Sequence, residues 1–79
     1  MYSIETTNRF EKNYIQCKVR GYNMDLLDTA IEILEKYGKL PDEYKSHKLK
    51  NNWNGYWECH IVPDWLLIWK KDKKKLVLH

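Results

Sequence analysis

Two histidines and an aspartate in the second half of the chain, His47, His60 and Asp64, have the side chains best suited to chemistry. His60 and Asp64 lie four positions apart on either side of Pro63, so a tight turn would bring them together. Cleavage of a phosphodiester through the ribose 2′-OH needs a base, cations to stabilise the phosphorane and an acid for the leaving oxygen. Histidine suits proton transfer because its ordinary pKa is about 6.5.

The same residues also have simpler explanations. An aspartate that follows a proline commonly serves the turn itself, and an exposed histidine commonly has no role. Glu58 is a further ionisable residue nearby.

A metal site is disfavoured, because Cys59 and His60 are neighbours in a predicted strand and point to opposite faces. With only three glycines, the chain has no glycine-rich phosphate loop. We therefore expect either catalysis that needs no metal or cofactor, or no catalysis.

Length and composition fit one small globular domain. The chain has 79 residues, of which 43% are hydrophobic, and a domain of this size has a limited core. No run of about 18 apolar residues is present, so we expect no membrane span. The first ten residues lack the basic start and apolar stretch of a signal peptide. The prediction is a cytoplasmic protein whose two cysteines, Cys17 and Cys59, are free thiols.

Charge is distributed unevenly along the chain. Residues 1–44 hold six Lys or Arg and eight acidic residues, whereas residues 45–79 hold eight Lys and three acidic residues. The basic half also holds all four tryptophans and all three histidines. A cationic surface with aromatic side chains suits a nucleic acid, because phosphates and bases are both recognised. The alternative is a solvated lysine-rich edge that prevents aggregation.

The first half of the chain predicts a strand and two helices. Alternating apolar residues over positions 2–6 indicate a short strand, and either Thr7 or Asn8 can cap the helix that follows. On this helix Phe10, Tyr14 and Cys17 form one apolar stripe, and Ile15 and Val19 form a second. With two stripes, the helix is expected to contact both a partner helix and the sheet.

The second helix has the clearest pattern, because apolar side chains fill one half of its wheel. Asn23 is expected to cap this helix and Gly38 to end it. After His47 the pattern changes to short strands separated by turn residues. The predicted strands are residues 48–50, 55–62, 65–69 and 76–78.

Side-chain alternation predicts which face of the sheet meets the helices. In residues 55–62, Trp57, Cys59 and Ile61 fall on the apolar face, so His60 should point to the open face. The element order is β-α-α-β-β-β-β. The fold class is therefore α+β, with a helical hairpin packed on one face of a small antiparallel sheet.

Three segments of the basic half together resemble the YafQ-like branch of the RelE/ParE toxin superfamily. The similarity covers residues 45–70 closely, and the order of elements fits the family along the whole chain. The segments are His47-Lys-Leu-Lys50, Trp53-Asn-Gly-Tyr56 and Glu58-Cys-His60-Ile-Val-Pro-Asp-Trp-Leu-Leu-Ile-Trp69. The resemblance implies a RelE-like fold that is similar to microbial ribonucleases.

The resemblance also implies a function. Members of this branch are toxins of type II toxin-antitoxin systems that enter the ribosomal A site and cleave mRNA there. A cognate antitoxin holds the toxin inactive in a hetero-oligomer. The family's catalytic residues match His47, His60 and Asp64 here, with either His60 or Asp64 as the base. Trp65 matches an aromatic residue that stacks on or bounds the base, and no metal or cofactor is implied.

Lysines near these residues are expected to hold RNA phosphates, namely Lys48, Lys50 and Lys70. Relatives continue past the last strand with an Arg-x-Gly-(Ser/Thr)-His motif that supplies an arginine and a third histidine. Residues 1–79 are therefore expected to be a single toxin domain that lacks this catalytic tail and cleaves weakly. The alternatives are a ParE-like gyrase inhibitor and a non-catalytic antitoxin-binding protein on the same scaffold.

Overall fold

The computed structural model describes all residues from Met1 to His79. Two helices and five strands follow one another in the predicted order, with a single 3₁₀ turn on either side of the second strand. The two helices, of 12 and 14 residues, have neither the length nor the apolar character of a membrane span. The elements are β1 (Ser3–Thr6), α1 (Asn8–Val19), α2 (Met24–Tyr37), β2 (His47–Lys48), β3 (Tyr56–Val62), β4 (Trp65–Asp72) and β5 (Lys75–Leu78).

The five strands form one sheet in the order β1-β5-β4-β3-β2. Strands β2 to β5 pair antiparallel, as the meander pattern predicts. Strand β1 instead pairs parallel with β5, with Ile4 opposite Leu76. The sheet is therefore mixed rather than wholly antiparallel. A parallel pair needs a long connection between its strands, which here runs through both helices and the meander.

The first helix is capped by Thr7, which decides between the two predicted caps. The Thr7 hydroxyl oxygen accepts a hydrogen bond from the Phe10 N–H at 3.1 Å. The Glu11 carboxylate accepts a hydrogen bond from the Thr6 hydroxyl at 3.0 Å. A side-chain acceptor at this position satisfies an N–H that has no partner within the helix.

The second helix begins and ends as its sequence predicts. The Asn23 side chain accepts from the Asp25 N–H at 3.2 Å. Gly38 has φ 73° and donates its N–H to the Leu34 carbonyl at 2.8 Å. Glycine is required there because the conformation is left-handed and a Cβ would collide with the Tyr2 ring.

The core lies between the helices and one face of the sheet. Strands β3, β4 and β5 contribute Cys59, Trp69 and Leu76, each no more than 2% exposed. The helices cover this face with buried apolar side chains, namely Phe10, Leu27, Ala30 and Leu34. The other face of the sheet is left open by both helices.

The predicted second stripe of α1 is largely exposed. Ile15 is 61% exposed and Val19 is 81% exposed, so the prediction that α1 contacts both a partner helix and the sheet through two stripes is wrong. The helix turns only its Phe10 side towards the core, and Phe10 is its one buried residue.

Candidate active site

Strand β3 positions the first group of candidate residues on the open face of the sheet. Cys59 is fully buried against the helices, so its neighbours Glu58 and His60 point the other way, as predicted for His60. The antiparallel pairing with β2 sets His47 directly opposite Glu58. Two strands therefore bring two histidines and a carboxylate to one surface.

The two nitrogens of the His47 ring both face hydrogen-bond acceptors. Nε2 lies 3.1 Å from Oε1 of Glu58, and Nδ1 lies 3.2 Å from the carbonyl oxygen of Lys45. Both contacts are hydrogen bonds only when both nitrogens carry a proton, that is, in the imidazolium form. Glu58 is the more protected partner, since its side chain is 17% exposed and that of His47 is 49% exposed. This arrangement suits His47 to carry positive charge.

The ring of His60 is oriented differently. Its Nδ1 lies 3.3 Å from the carbonyl oxygen of Pro63, and a carbonyl can only accept, so Nδ1–H is the donor. In the neutral ring, Nε2 then holds the lone pair that a general base needs. The ring centroids of His47 and His60 are 6.3 Å apart. The two rings are therefore close enough for one phosphate group to lie near both.

A bulge and a turn follow His60. The register of the β3–β4 pair shifts between His60 and Val62, and bulges of this kind re-aim side chains beside active sites. The turn presents Asp64 to solvent as an exposed side chain. A cavity of about 460 Å³ lies next to the first residue of this turn, with Lys45, His60 and Pro63 in its wall, and Asp64 is not among its lining residues. The turn brings the backbone of Pro63 to the His60 ring and leaves the Asp64 carboxylate free.

Of the lysines expected to bind phosphate, Lys70 lies on the open face. Its Nζ is 5.7 Å from the centre of the Tyr56 ring. Lys50 is exposed. Lys48 points to the helix side, because its Nζ lies 5.5 Å from the centre of the Trp57 ring. Strand alternation after His47 contained this signal, since adjacent residues face opposite ways.

Trp65 also lies away from the two histidines. Its ring meets Tyr22 edge-on at 5.0 Å, with an interplanar angle of 87°, and it packs against the hydrophobic core. The alternation with buried Leu67 already places Trp65 on the helix side of β4. Its expected role in stacking on an RNA base therefore remains a prediction that this position does not favour.

Sequence reasoning missed an aromatic cluster on the open face. The ring of Tyr56 lies 4.9 Å from that of His79 and 5.1 Å from that of Trp53. His79 is brought there by the β4–β5 pair, because its N–H donates to the Ile68 carbonyl at 2.8 Å. Predicting this cluster requires the register of β4 and β5, and no local sequence pattern contains that register.

The thiol of Cys59 belongs to the core and not to this site. Burial raises the pKa of Cys59 to about 12. The thiol is therefore protonated near neutral pH, and a protonated thiol is a poor nucleophile and metal ligand.

Comparison with known proteins gives this arrangement a family. The model of a family described as "Bacterial toxin of type II toxin-antitoxin system, YafQ" matches residues 2–79. The mRNA interferase toxin YafQ of Escherichia coli strain B / BL21-DE3 is 35% identical over 74 residues, which are 92% of this chain and 80% of that protein.

Solved structures agree with the family match over the whole fold. The crystal structure of YafQ from Escherichia coli BL21(DE3) superposes with a TM-score of 0.91 at 33% identity, covering 99% of this chain and 88% of that one. The toxin in the Escherichia coli DinJ-YafQ complex superposes with a TM-score of 0.90 at 33% identity, with the same coverage. The fold is thus that of a bacterial type II toxin. More particularly, the chain belongs to the YafQ toxin family.

Proposed function

We propose that this chain is the toxin of a type II toxin-antitoxin system and that it cleaves mRNA on the ribosome in the cytoplasm. The name of its Escherichia coli relative, mRNA interferase toxin YafQ, supports this activity. The observation that carries the proposal is the pair of imidazoles 6.3 Å apart on the open face of the sheet. Their hydrogen bonds suit one ring to act as a base and the other as a cation.

In the proposed reaction, the ribose 2′-oxygen attacks the adjacent phosphorus and loses its proton to Nε2 of His60. The bond from phosphorus to the 5′-oxygen breaks and leaves a 2′,3′-cyclic phosphate. The 5′-oxygen takes a proton from water as it leaves, and His60 then returns its proton to the solvent. His47, held by Glu58, supplies positive charge next to the phosphorane. Asp64 directly follows Pro63, whose carbonyl contacts the His60 ring, and its carboxylate is free. We assign Asp64 to stabilising the imidazolium that forms on His60.

Contacts with the RNA backbone are assigned to the lysines that the fold leaves free on this side. Lys70 lies on the open face with Tyr56, and Lys50 is exposed. Lys48 and Trp65 contact Trp57 and Tyr22 instead. We therefore give Lys48 and Trp65 no part in the cleavage step.

A cognate antitoxin is the proposed protein partner. The solved DinJ-YafQ complex of Escherichia coli pairs a related toxin with another protein. By analogy, this chain would be held in a hetero-oligomer with its own antitoxin, and release from that complex would start mRNA cleavage.

The proposal is tested by single-turnover cleavage of mRNA on programmed ribosomes. The native chain should cut within the A-site codon, and His60→Ala should reduce the rate by about 10²–10⁴, the usual contribution of a general base. Lys74→Ala, at an exposed turn remote from the site, serves as the control. Failure of the native chain to cleave, together with inhibition of gyrase supercoiling, would favour the ParE-like alternative and overturn the proposal.

A further inference from the structure

A second cleft lies on the helix side of the sheet, away from the two histidines. It has a volume of about 410 Å³ and lies between the loop that follows α2 and the ends of β3 and β4. Its wall includes the indoles of Trp57 and Trp69 together with Ser46 and three lysines. Trp57 and buried Cys59 share one face of β3, so this cleft and His60 lie on opposite faces of the sheet.

The charge of the cleft is positive. Lys39, Lys45 and Lys71 line it, and Asp42 is the one acidic residue among its lining residues. The two ion pairs of the chain are His47 with Glu58 and Lys75 with Glu5, so none of the three lysines is paired with a carboxylate. Lys71 lies above an aromatic ring, with its Nζ 5.0 Å from the centre of Tyr2. The lysines therefore remain available to an anion.

One polar atom in the wall lacks a partner. The hydroxyl oxygen of Ser46 is buried and makes no hydrogen bond. A buried hydroxyl without a partner destabilises a protein, and such groups are rare in native structures. The residue before it, Lys45, has a left-handed backbone with φ 52°. The Ser46 oxygen has almost no exposed surface as it stands, so a rotation about χ1 must turn it towards the cleft before a phosphate or hydroxyl oxygen of a ligand can satisfy it.

The apolar part of the wall is planar. The rings of Trp57 and Trp69 are parallel within 11°, with centroids 6.4 Å apart. Trp69 is buried, at 2% exposure, whereas Trp57 is partly exposed at the cleft. Aromatic faces of this kind stack on nucleic-acid bases. The Lys48 ammonium lies 5.5 Å from the centre of the Trp57 ring, so a base would stack there in place of this flexible side chain.

We propose that this cleft binds a nucleoside phosphate, with the base against the Trp57 indole and the phosphate among the lysines and the Ser46 hydroxyl. The volume lies within the range of small-molecule sites, about 300–1,000 Å³. An acidic peptide would satisfy the lysines but would leave the planar indole unmatched. The ligand is either a free nucleotide or an unpaired nucleotide of an RNA strand. The site does not depend on the proposed cleavage activity.

The first test is a titration of the ¹⁵N-labelled chain with AMP, followed through its four tryptophan indole N–H signals. AMP should shift the Trp57 signal to saturation and leave that of Trp53, on the open face, unchanged. Inorganic phosphate alone should bind more weakly, because it cannot stack. Shifts confined to Trp53, or no saturable shift, would overturn the proposal. So would saturation of the Trp57 signal by an acidic peptide but not by AMP.

Variants then test the individual contacts by calorimetry with AMP. Lys71→Gln and Ser46→Ala should each weaken binding about tenfold, equivalent to about 1.4 kcal/mol. Lys74→Gln is the matched control, because Lys74 lies outside the cleft and should bind as the native chain does. Equal affinity in all variants would contradict the assignment. Near-UV circular dichroism checks that each variant retains native packing.

An uncleavable 2′-O-methyl hexanucleotide distinguishes the two sources of the ligand. If it shifts the Trp57 signal at lower concentration than AMP does, the ligand is a nucleotide within RNA. If AMP binds and the hexanucleotide leaves Trp57 unchanged, the ligand is a free nucleotide. Either result supports the nucleoside phosphate, and failure of both overturns it.

Discussion

Nε2 of His47 lies 3.1 Å from Oε1 of Glu58 across the β2–β3 pair. The carboxylate comes from a seven-residue strand that is paired on both sides, whereas the histidine comes from a two-residue edge strand. A short edge strand provides little positional restraint of its own. The ion pair, together with the contact from Nδ1 to the Lys45 carbonyl at 3.2 Å, therefore fixes the orientation of the His47 ring.

Replacing Glu58 by glutamine should lower the rate of mRNA cleavage about tenfold. An amide keeps the shape of the side chain but makes only a neutral hydrogen bond to His47, and a charge-assisted bond is roughly twice as strong as a neutral one. Tenfold corresponds to about 1.4 kcal/mol. Glu5→Gln is the control, because Glu5 forms an exposed pair with Lys75 at 3.9 Å. Equal losses in both variants would show that general charge, and not the His47 contact, is responsible.

His47→Ala should reduce cleavage more than Glu58→Gln, because it removes the cation itself. Loss of one stabiliser of a developing oxyanion lowers rates about 10²–10³-fold. The folding free energy of the His47→Ala variant should differ from that of the native chain by less than about 1 kcal/mol, since exposed ion pairs contribute little. Single-turnover cleavage and urea unfolding measure the two quantities. A double variant with Glu58→Gln should cleave no more slowly than His47→Ala alone if Glu58 acts through His47.

The positions of these residues follow from the sequence to different degrees. Alternation in β3 separates His60 from Cys59, and that separation is local, so the sequence predicts it well. The same rule applied to His47 and Lys48 would have moved Lys48 to the helix side, where it meets Trp57. The resemblance to a family supplied candidate roles but not the face on which each side chain lies.

Other features depend on contacts between distant segments. The parallel pairing of β1 with β5 and the position of His79 beside Tyr56 both depend on which strands become neighbours. An apolar stripe such as Ile15 and Val19 likewise does not reveal whether another element covers it. These outcomes are decided by packing over the whole chain, which hydrophobic periodicity alone does not specify.

Gly38→Ala should destabilise the fold more than Gly21→Ala. Both glycines have positive φ, 73° and 85°, so each substitution incurs about 1–2 kcal/mol of left-handed strain. At Gly38 the new methyl would also collide with the Tyr2 ring, whereas at Gly21 no atom lies within 4 Å. Urea unfolding of the two variants measures the difference. Equal midpoints would mean that Tyr2 moves aside freely.

Cys59 should resist alkylation in the folded chain, while Cys17 reacts. Burial raises the pKa of Cys59 from the ordinary 9.0 to about 12, and only the thiolate is nucleophilic. Cys17 is partly exposed on α1. Iodoacetamide at pH 8 followed by mass spectrometry should therefore give one modified site under native conditions and two in denaturant. Modification of Cys59 at the same native rate as Cys17 would contradict the buried position.

The same pKa difference makes stability depend on pH. The unfolded chain releases the Cys59 proton near pH 9, whereas the folded chain keeps it until about pH 12. Between these values the folded state binds more protons than the unfolded state, so the free energy of unfolding falls as pH rises. Cys59→Ala should be less stable at pH 8, because a buried group is removed, but its stability should fall less between pH 9 and 10.5. Urea unfolding at these pH values measures both slopes. Parallel slopes would show that other groups, among them Tyr14, whose pKa is raised by its hydrogen bond to Asp28, control the alkaline loss of stability.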